Sequence, residues 1–113
     1  LRAGARVAIG SDTPVETCDV LEGIRAAVRR VARDGRALHP EQSLTVEEAL
    51  LCCTRDAAHA AAAESALGTL APGQLASLTV LTHDPVGDPS LLDACGVAAT
   101  LVRGHVVYEG RST

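Results

Sequence analysis

The sequence predicts an α/β chain: a strand–turn–helix unit with a helical extension, followed by a β-rich segment. Three observations carry this. The apolar run Val7-Ala8-Ile9 breaks at Gly10-Ser11-Asp12-Thr13-Pro14-Val15 and gives way to a long amphipathic stretch. Thr45-Val46-Glu47-Glu48 has the spacing of a helix-starting capping box. Near Ala71 the pattern changes from alanine-rich and helical to alternating and turn-rich, which places a division between residues 1–70 and 71–113.

The elements follow in order. Arg6 to Ile9 is too short and too uniformly apolar to alternate, as expected of a strand covered on both faces in a parallel sheet. Val20, Leu21, Ile24, Ala27, Val28, Val31 and Ala32 repeat at helical spacing, so a helix is expected from Asp19 to Asp34, with Gly35 as its left-handed cap. Arg25, Arg29 and Arg33 form a stripe on another side, expected to be a solvated face. His39 to Gln42 is a connector. The capping box starts a second helix through Ala49, Leu50 and Cys53, and the alanine-dense run Asp56 to Glu64 favours helix by propensity. Gly68 to Gly73 is a turn cluster. Ser77 to Thr82 alternates as a strand, His83 to Pro89 is a loop with two prolines, and Val97 to Arg103, Gly104, then His105 to Glu109 reads as a hairpin.

Composition narrows the class. A net charge of −4 argues against nucleic acid as partner. No stretch approaches the roughly 18 apolar residues of a membrane-spanning helix, and no secretory signal is visible at Leu1-Arg2-Ala3-Gly4. There is no Phe, Trp or Met and a single Tyr, Tyr108. Aromatic side chains supply much of a core's buried area, so this chain gains from burying its faces against additional protein. The absence of an initiator Met makes an incomplete sequence the expectation. Cys18, Cys52, Cys53 and Cys95 have neither secretory context nor Cys-x-x-Cys spacing. They read as small apolar side chains in a reducing, cytoplasmic compartment.

Asp12 is the candidate functional residue. The C-terminal end of a strand in a parallel α/β protein is where active-site groups gather. A carboxylate there, with a reference pKa of about 3.9, is ionised at neutral pH and can bind a metal or accept a proton. The same residue after Gly-Ser also suits a plain turn or helix cap. His39, His59, His83 and His105 fall on unrelated elements and share no spacing with Asp12.

These residues, in this order, resemble the C-terminal end of a metal-dependent amidohydrolase of family 3, the branch with N-substituted formamide deformylases. Gly10-Ser11-Asp12-Thr13-Pro14-Val15 resembles the turn after the eighth barrel strand, and Ile24-Arg25-Ala26-Ala27-Val28-Arg29 the helix after it. Leu44 to Leu50 and Thr54-Arg55-Asp56-Ala57-Ala58 resemble the helical segment beyond. Gly68 to Gly73, Leu78 to Leu81, Asp84-Pro85 and Val102 to Glu109 resemble the return to a small β domain and its closing hairpin. One departure is Ala76-Ser77-Leu78, where the family usually carries Ala-Asp-Leu; it bears on local hydrogen bonding.

The resemblance implies an incomplete fold: the last β/α unit of a TIM-like barrel with its helical extension in residues 1–70, and part of a small β-sandwich in 71–113. It implies Asp12 as the metal-proximal residue that takes a proton from the attacking water and returns it to the leaving amine. The substrate would be a small amide, formamide or cyclic amide, and the cofactor a divalent metal, zinc first, in the complete enzyme. The family's His-x-His and lysine are absent here, so the isolated chain is expected to hold no metal and to be inactive. A homo-oligomer is compatible with it. The rival reading is a non-catalytic truncated homologue that binds a partner through its open faces. A weaker third is a metal-storage or sensing domain, against which the ligand spacing counts.

Overall fold

A computed structural model of the chain describes Leu1 and residues 3–110. Helix α1 spans Val20–Arg29. Its start is set by Asp19, whose Oδ1 accepts from the Leu21 amide at 2.9 Å, satisfying one of the amides a helix leaves unpaired at its start. Leu21 and Ile24 are its buried residues.

The helix ends short of the expected Asp34–Gly35 boundary. Arg30 turns into the left-handed region at φ 52°, and the chain reverses in a small hairpin with Val31 bridged to Ala37. Leu38 N–H donates to Arg30 O at 2.7 Å, and Ala32 N–H to Arg36 O at 2.9 Å. Gly35, at φ 84°, is the turn of this hairpin. The periodicity at Val31 and Ala32 misled because Val31 is 51% exposed: no burial rewards another helical turn, while the hairpin satisfies the backbone.

After a 3-10 turn at Pro40–Gln42, α2 spans Val46–Cys53. Both halves of the capping box form: Glu48 N–H donates to Thr45 Oγ1 at 3.1 Å, and Thr45 N–H to Glu48 Oε2 at 2.8 Å. Val46, Ala49 and Cys52 are buried. Thr54 breaks the path, and α3 covers Arg55–Ala60, shorter than the alanine run that extends to Glu64. Gly68, at φ 98°, packs against it so closely that a Cβ would stand 2.7 Å from Ala58 Cβ.

The Val7-Ala8-Ile9 strand does not form among the described residues. Among the described residues its backbone tie to the body is Ile9 N–H to Cys52 O at 3.3 Å. A strand exists only through a neighbouring strand, and the strands here pair with one another. They are β1 (Leu78–Leu81), β2 (Val97–Val102) and β3 (His105–Glu109), antiparallel in the order β1-β2-β3. Leu78 faces Leu101, and Val102 faces His105. Arg103 and Gly104, at φ 50° and 82°, make the two-residue turn whose twist suits a hairpin. Ser77 Oγ accepts from Arg103 N–H at 3.2 Å, so the serine supplies an acceptor to the turn.

The core joins both halves of the chain. Leu21, Ile24, Val46, Ala49 and Leu92 form one buried cluster, with Leu81 and Val97 packed against it. Arg25 is not part of a solvated stripe: its Nη2 donates to Cys95 O at 2.7 Å and its Nε to Leu92 O at 3.3 Å. Arg29 pairs with Asp93. The helix face carrying these two arginines is therefore docked on the turn before β2, while Arg33 lies beyond the helix altogether.

Candidate functional site

The Asp12 turn is built by its own backbone. Asp12 adopts φ 58°, a left-handed conformation that Asp tolerates better than most residues. Its carbonyl accepts from Val15 N–H at 2.8 Å and Glu16 N–H at 3.4 Å. The flanking hydroxyls of Ser11 and Thr13 lie 2.8 Å apart, and Thr13 N–H reaches Ser11 Oγ at 3.4 Å. The Asp12 side chain is exposed, and among the described residues no donor holds its carboxylate. A cleft of about 370 Å³ runs alongside, with Ile9, Gly10, Ser11, Glu16, Thr17 and Arg33 in its wall. Glu16 and Arg33 pair across it at 2.6 Å.

The other candidates do not converge on Asp12. His39 Nδ1 lies 3.1 Å from Glu41 Oε1, His59 Nδ1 3.0 Å from Glu64 Oε1, and His83 Nδ1 2.9 Å from Thr82 Oγ1. His105 is exposed on β3. Among the described residues no group of three His, Cys, Asp or Glu side chains could hold a metal ion. Asp12 can offer one ligand, and a catalytic zinc takes about three from the protein, so these residues do not by themselves fit a metal centre. The cysteines divide: Cys52 and Cys95 are buried and Cys53 is half-buried, but Cys18 is exposed, which corrects the apolar reading for that residue. Burial pushes the Cys52 and Cys53 thiols up, with the Asp56 charge adding to the effect at Cys52.

Asp56 is the polar residue that sequence reasoning missed. It is 3% exposed, and its carboxylate accepts from Arg55 Nε at 2.9 Å and Nη2 at 3.2 Å. That fork holds its pKa below the usual carboxylate value, against the opposing pull of burial. The adjacent Arg-Asp pair was the available signal.

The sequence profile of the amidohydrolase family matches residues 1–108. The chain belongs to the amidohydrolase family. The N-substituted formamide deformylase of Arthrobacter pascens is 40% identical over 110 residues, covering 96% of this chain and 20% of that protein. YtcJ of Bacillus subtilis (strain 168) is 36% identical over 110 residues, covering 94% of this chain and 21% of that protein. The chain thus spans about a fifth of the length of these relatives. Among solved structures, a Xaa-Pro dipeptidase with methionine bound in its active site superposes with a TM-score of 0.71 at 24% identity, over 96% of this chain and 23% of that one. An amidohydrolase from Thermotoga maritima MSB8 gives 0.68 at 21% identity, over 96% and 24%. At these identities the likeness is one of fold. With them, this amidohydrolase chain is a small α/β unit around a three-stranded antiparallel sheet. No helix of the described residues is long and apolar enough to cross a membrane.

Proposed function

We propose that this chain is the C-terminal portion of a cytoplasmic, metal-dependent amidohydrolase that cleaves a C–N bond in a small non-peptide amide or formamide. In this reading residues 1–70 are the last β/α unit of a barrel with its helical extension, and 71–113 belong to a small β domain. Asp12 is the proton-carrying group. The observation that supports it is the Asp12 turn: the backbone is fixed by two amides on one carbonyl, while the carboxylate stays exposed and free to meet a substrate. The carboxylate takes the proton of the attacking water and delivers it to the departing nitrogen, the two halves of general base and acid catalysis. The 40% identity to a formamide deformylase favours formamides within the amide class. A divalent metal, zinc first, requires ligands beyond those described here.

Surface area supports the incomplete fold. The chain exposes 8018 Å², whereas a compact monomer of its size exposes about 5,800 Å².

Two experiments test the reading. A continuous reading frame upstream of Leu1 that encodes a His-x-His motif is expected in the coding DNA; a stop codon there would favour a free-standing partner-binding module, for which the exposed Val106, Val107 and Tyr108 of β3 would be the surface. In the complete enzyme, Asp12→Asn keeps size and removes the proton acceptor. Steady-state kinetics should show kcat down by about a hundredfold or more with folding unchanged. Activity within a few-fold of wild type would reduce Asp12 to a turn residue.

A further inference from the structure

We propose that the loop from His83 to Cys95 is a strap, and that Arg25 locks it onto α1 and so couples the helical part of the chain to the sheet. The strap is shaped by its own polar groups. At its neck, Thr82 N–H donates to Gly96 O at 2.9 Å, and Gly96 N–H donates to Thr82 Oγ1 at 2.9 Å. Asp84 Oδ1 accepts from Val86 N–H at 3.1 Å and from Gly87 N–H at 3.0 Å. Asp88 Oδ1 accepts from Ser90 N–H at 3.0 Å and so starts the 3-10 turn Pro89–Leu92. These bonds run within the strap and at its neck, and none of them reaches α1.

Leu92 and Arg25 make that connection in different ways. Leu92 is 1% exposed and sits in the cluster with Leu21 and Ile24 of α1. Apolar burial is non-directional, so it seats the strap without fixing its orientation. Arg25 adds direction: its Nε donates to Leu92 O at 3.3 Å and its Nη2 to Cys95 O at 2.7 Å. Leu92 ends the 3-10 turn, where carbonyls have no partner within the turn. The guanidinium offers its donors in a rigid fork, which takes up this carbonyl and that of Cys95 together. Both bonds are partly buried, and a hydrogen bond from a charged donor is about twice as strong as a neutral one. The neighbouring Arg29–Asp93 pair has side chains 48% and 55% exposed, and an ion pair so open to water and salt contributes little. Arg25, Leu92 and Cys95 all lie in this chain, and the fold is shared over 96% of its length with a larger solved protein. The lock therefore belongs to the complete fold as well.

The test compares Arg25→Ala, Arg25→Lys and Arg29→Ala in the complete protein, with hydrogen exchange read by mass spectrometry on peptides 84–96 and 46–53. Arg25→Ala leaves two carbonyls without their donors, and exchange in 84–96 should rise by about tenfold or more while 46–53, inside the capped helix α2, stays as in wild type. Arg25→Lys replaces the fork by a single ammonium and should also speed exchange in 84–96, by less. Arg29→Ala should change it by no more than about twofold. Wild-type exchange in 84–96 of Arg25→Ala overturns the proposal, and so does an equal rise in Arg29→Ala. A rise spread equally over 84–96 and 46–53 overturns it too, because Arg25 would then support the whole fold and not the strap. If Arg25→Ala does not fold, Arg25→Lys decides: faster exchange confined to 84–96 supports the lock, and none overturns it. The readout needs no catalysis, so it stands apart from the role of Asp12, which Asp12→Asn reports separately.

Discussion

Asp12 and Asp56 are two carboxylates with opposite surroundings. Asp12 stands exposed on a backbone-built turn; Asp56 is buried and taken up by the Arg55 fork. For Asp56 the consequence is a pH dependence. Its folded pKa lies below that of the unfolded chain because the guanidinium favours the charged form. The stability this contributes is full above the unfolded value of about 3.9 and is lost as pH falls through the lower folded value. Thermal melts followed by circular dichroism should therefore show Tm falling below about pH 4, less steeply in Asp56→Asn than in wild type; equal slopes would mean that the fork adds no stability. The exposed turn at Asp12 was legible in the sequence because a carboxylate on a Gly-Ser turn after an apolar run is a local pattern. The burial of Asp56 was not, because it depends on tertiary packing around α3, including the tight approach of Gly68 to Arg55 and Ala58.

Helices whose ends are chemically marked were the easiest to read. Thr45 and Glu48 close the capping box of α2 within four residues of chain, and Asp19 caps α1. Thr45→Ala should cost about 1 kcal/mol, the usual worth of an N-cap, measurable by urea denaturation; no loss would mean that packing of Val46 and Ala49 alone holds the helix start. The end of α1 was not legible, since apolar spacing continues past Arg29 while the structure turns at Arg30 into a hairpin. The hairpin β2–β3 was read correctly because Arg103-Gly104 sits between two β-rich runs. The segment Val7 to Ile9 forms no strand among the described residues, because a strand needs partners and these are not written in its own residues. Gly68→Ala belongs to this scale too. Its positive φ, and the 2.7 Å at which an added Cβ would stand from Ala58 Cβ, leave no room for a methyl group, so the substitution should destabilise by more than about 1 kcal/mol. A melt unchanged from wild type would show that the turn can shift away from α3.

The whole molecule is more open than its length requires. Its radius of gyration is 14.8 Å, against about 13 Å for a compact chain of this length, and its surface exceeds that of a compact monomer by roughly 2,200 Å². Part of that surface is apolar: Val7 is 42% exposed, Val20 54%, Val106 54% and Val107 60%. β3 is paired on one side only, with β2. Open strand edges and apolar patches promote association, and the core beneath is built from aliphatic and small side chains without an aromatic ring. The chain on its own should therefore associate, and sedimentation velocity should show a weight average that rises with concentration. Hydrogen exchange would locate the weakness. Ile9, bonded to Cys52 O, should exchange more slowly than Ala8, for which the described structure provides no backbone acceptor, and both should exchange faster than Ala49 inside the capped helix α2. A concentration-independent monomer in which Ala8 is as protected as Ala49 would mean that the chain closes its own fold. The surplus surface would then need another explanation than protein yet to cover it.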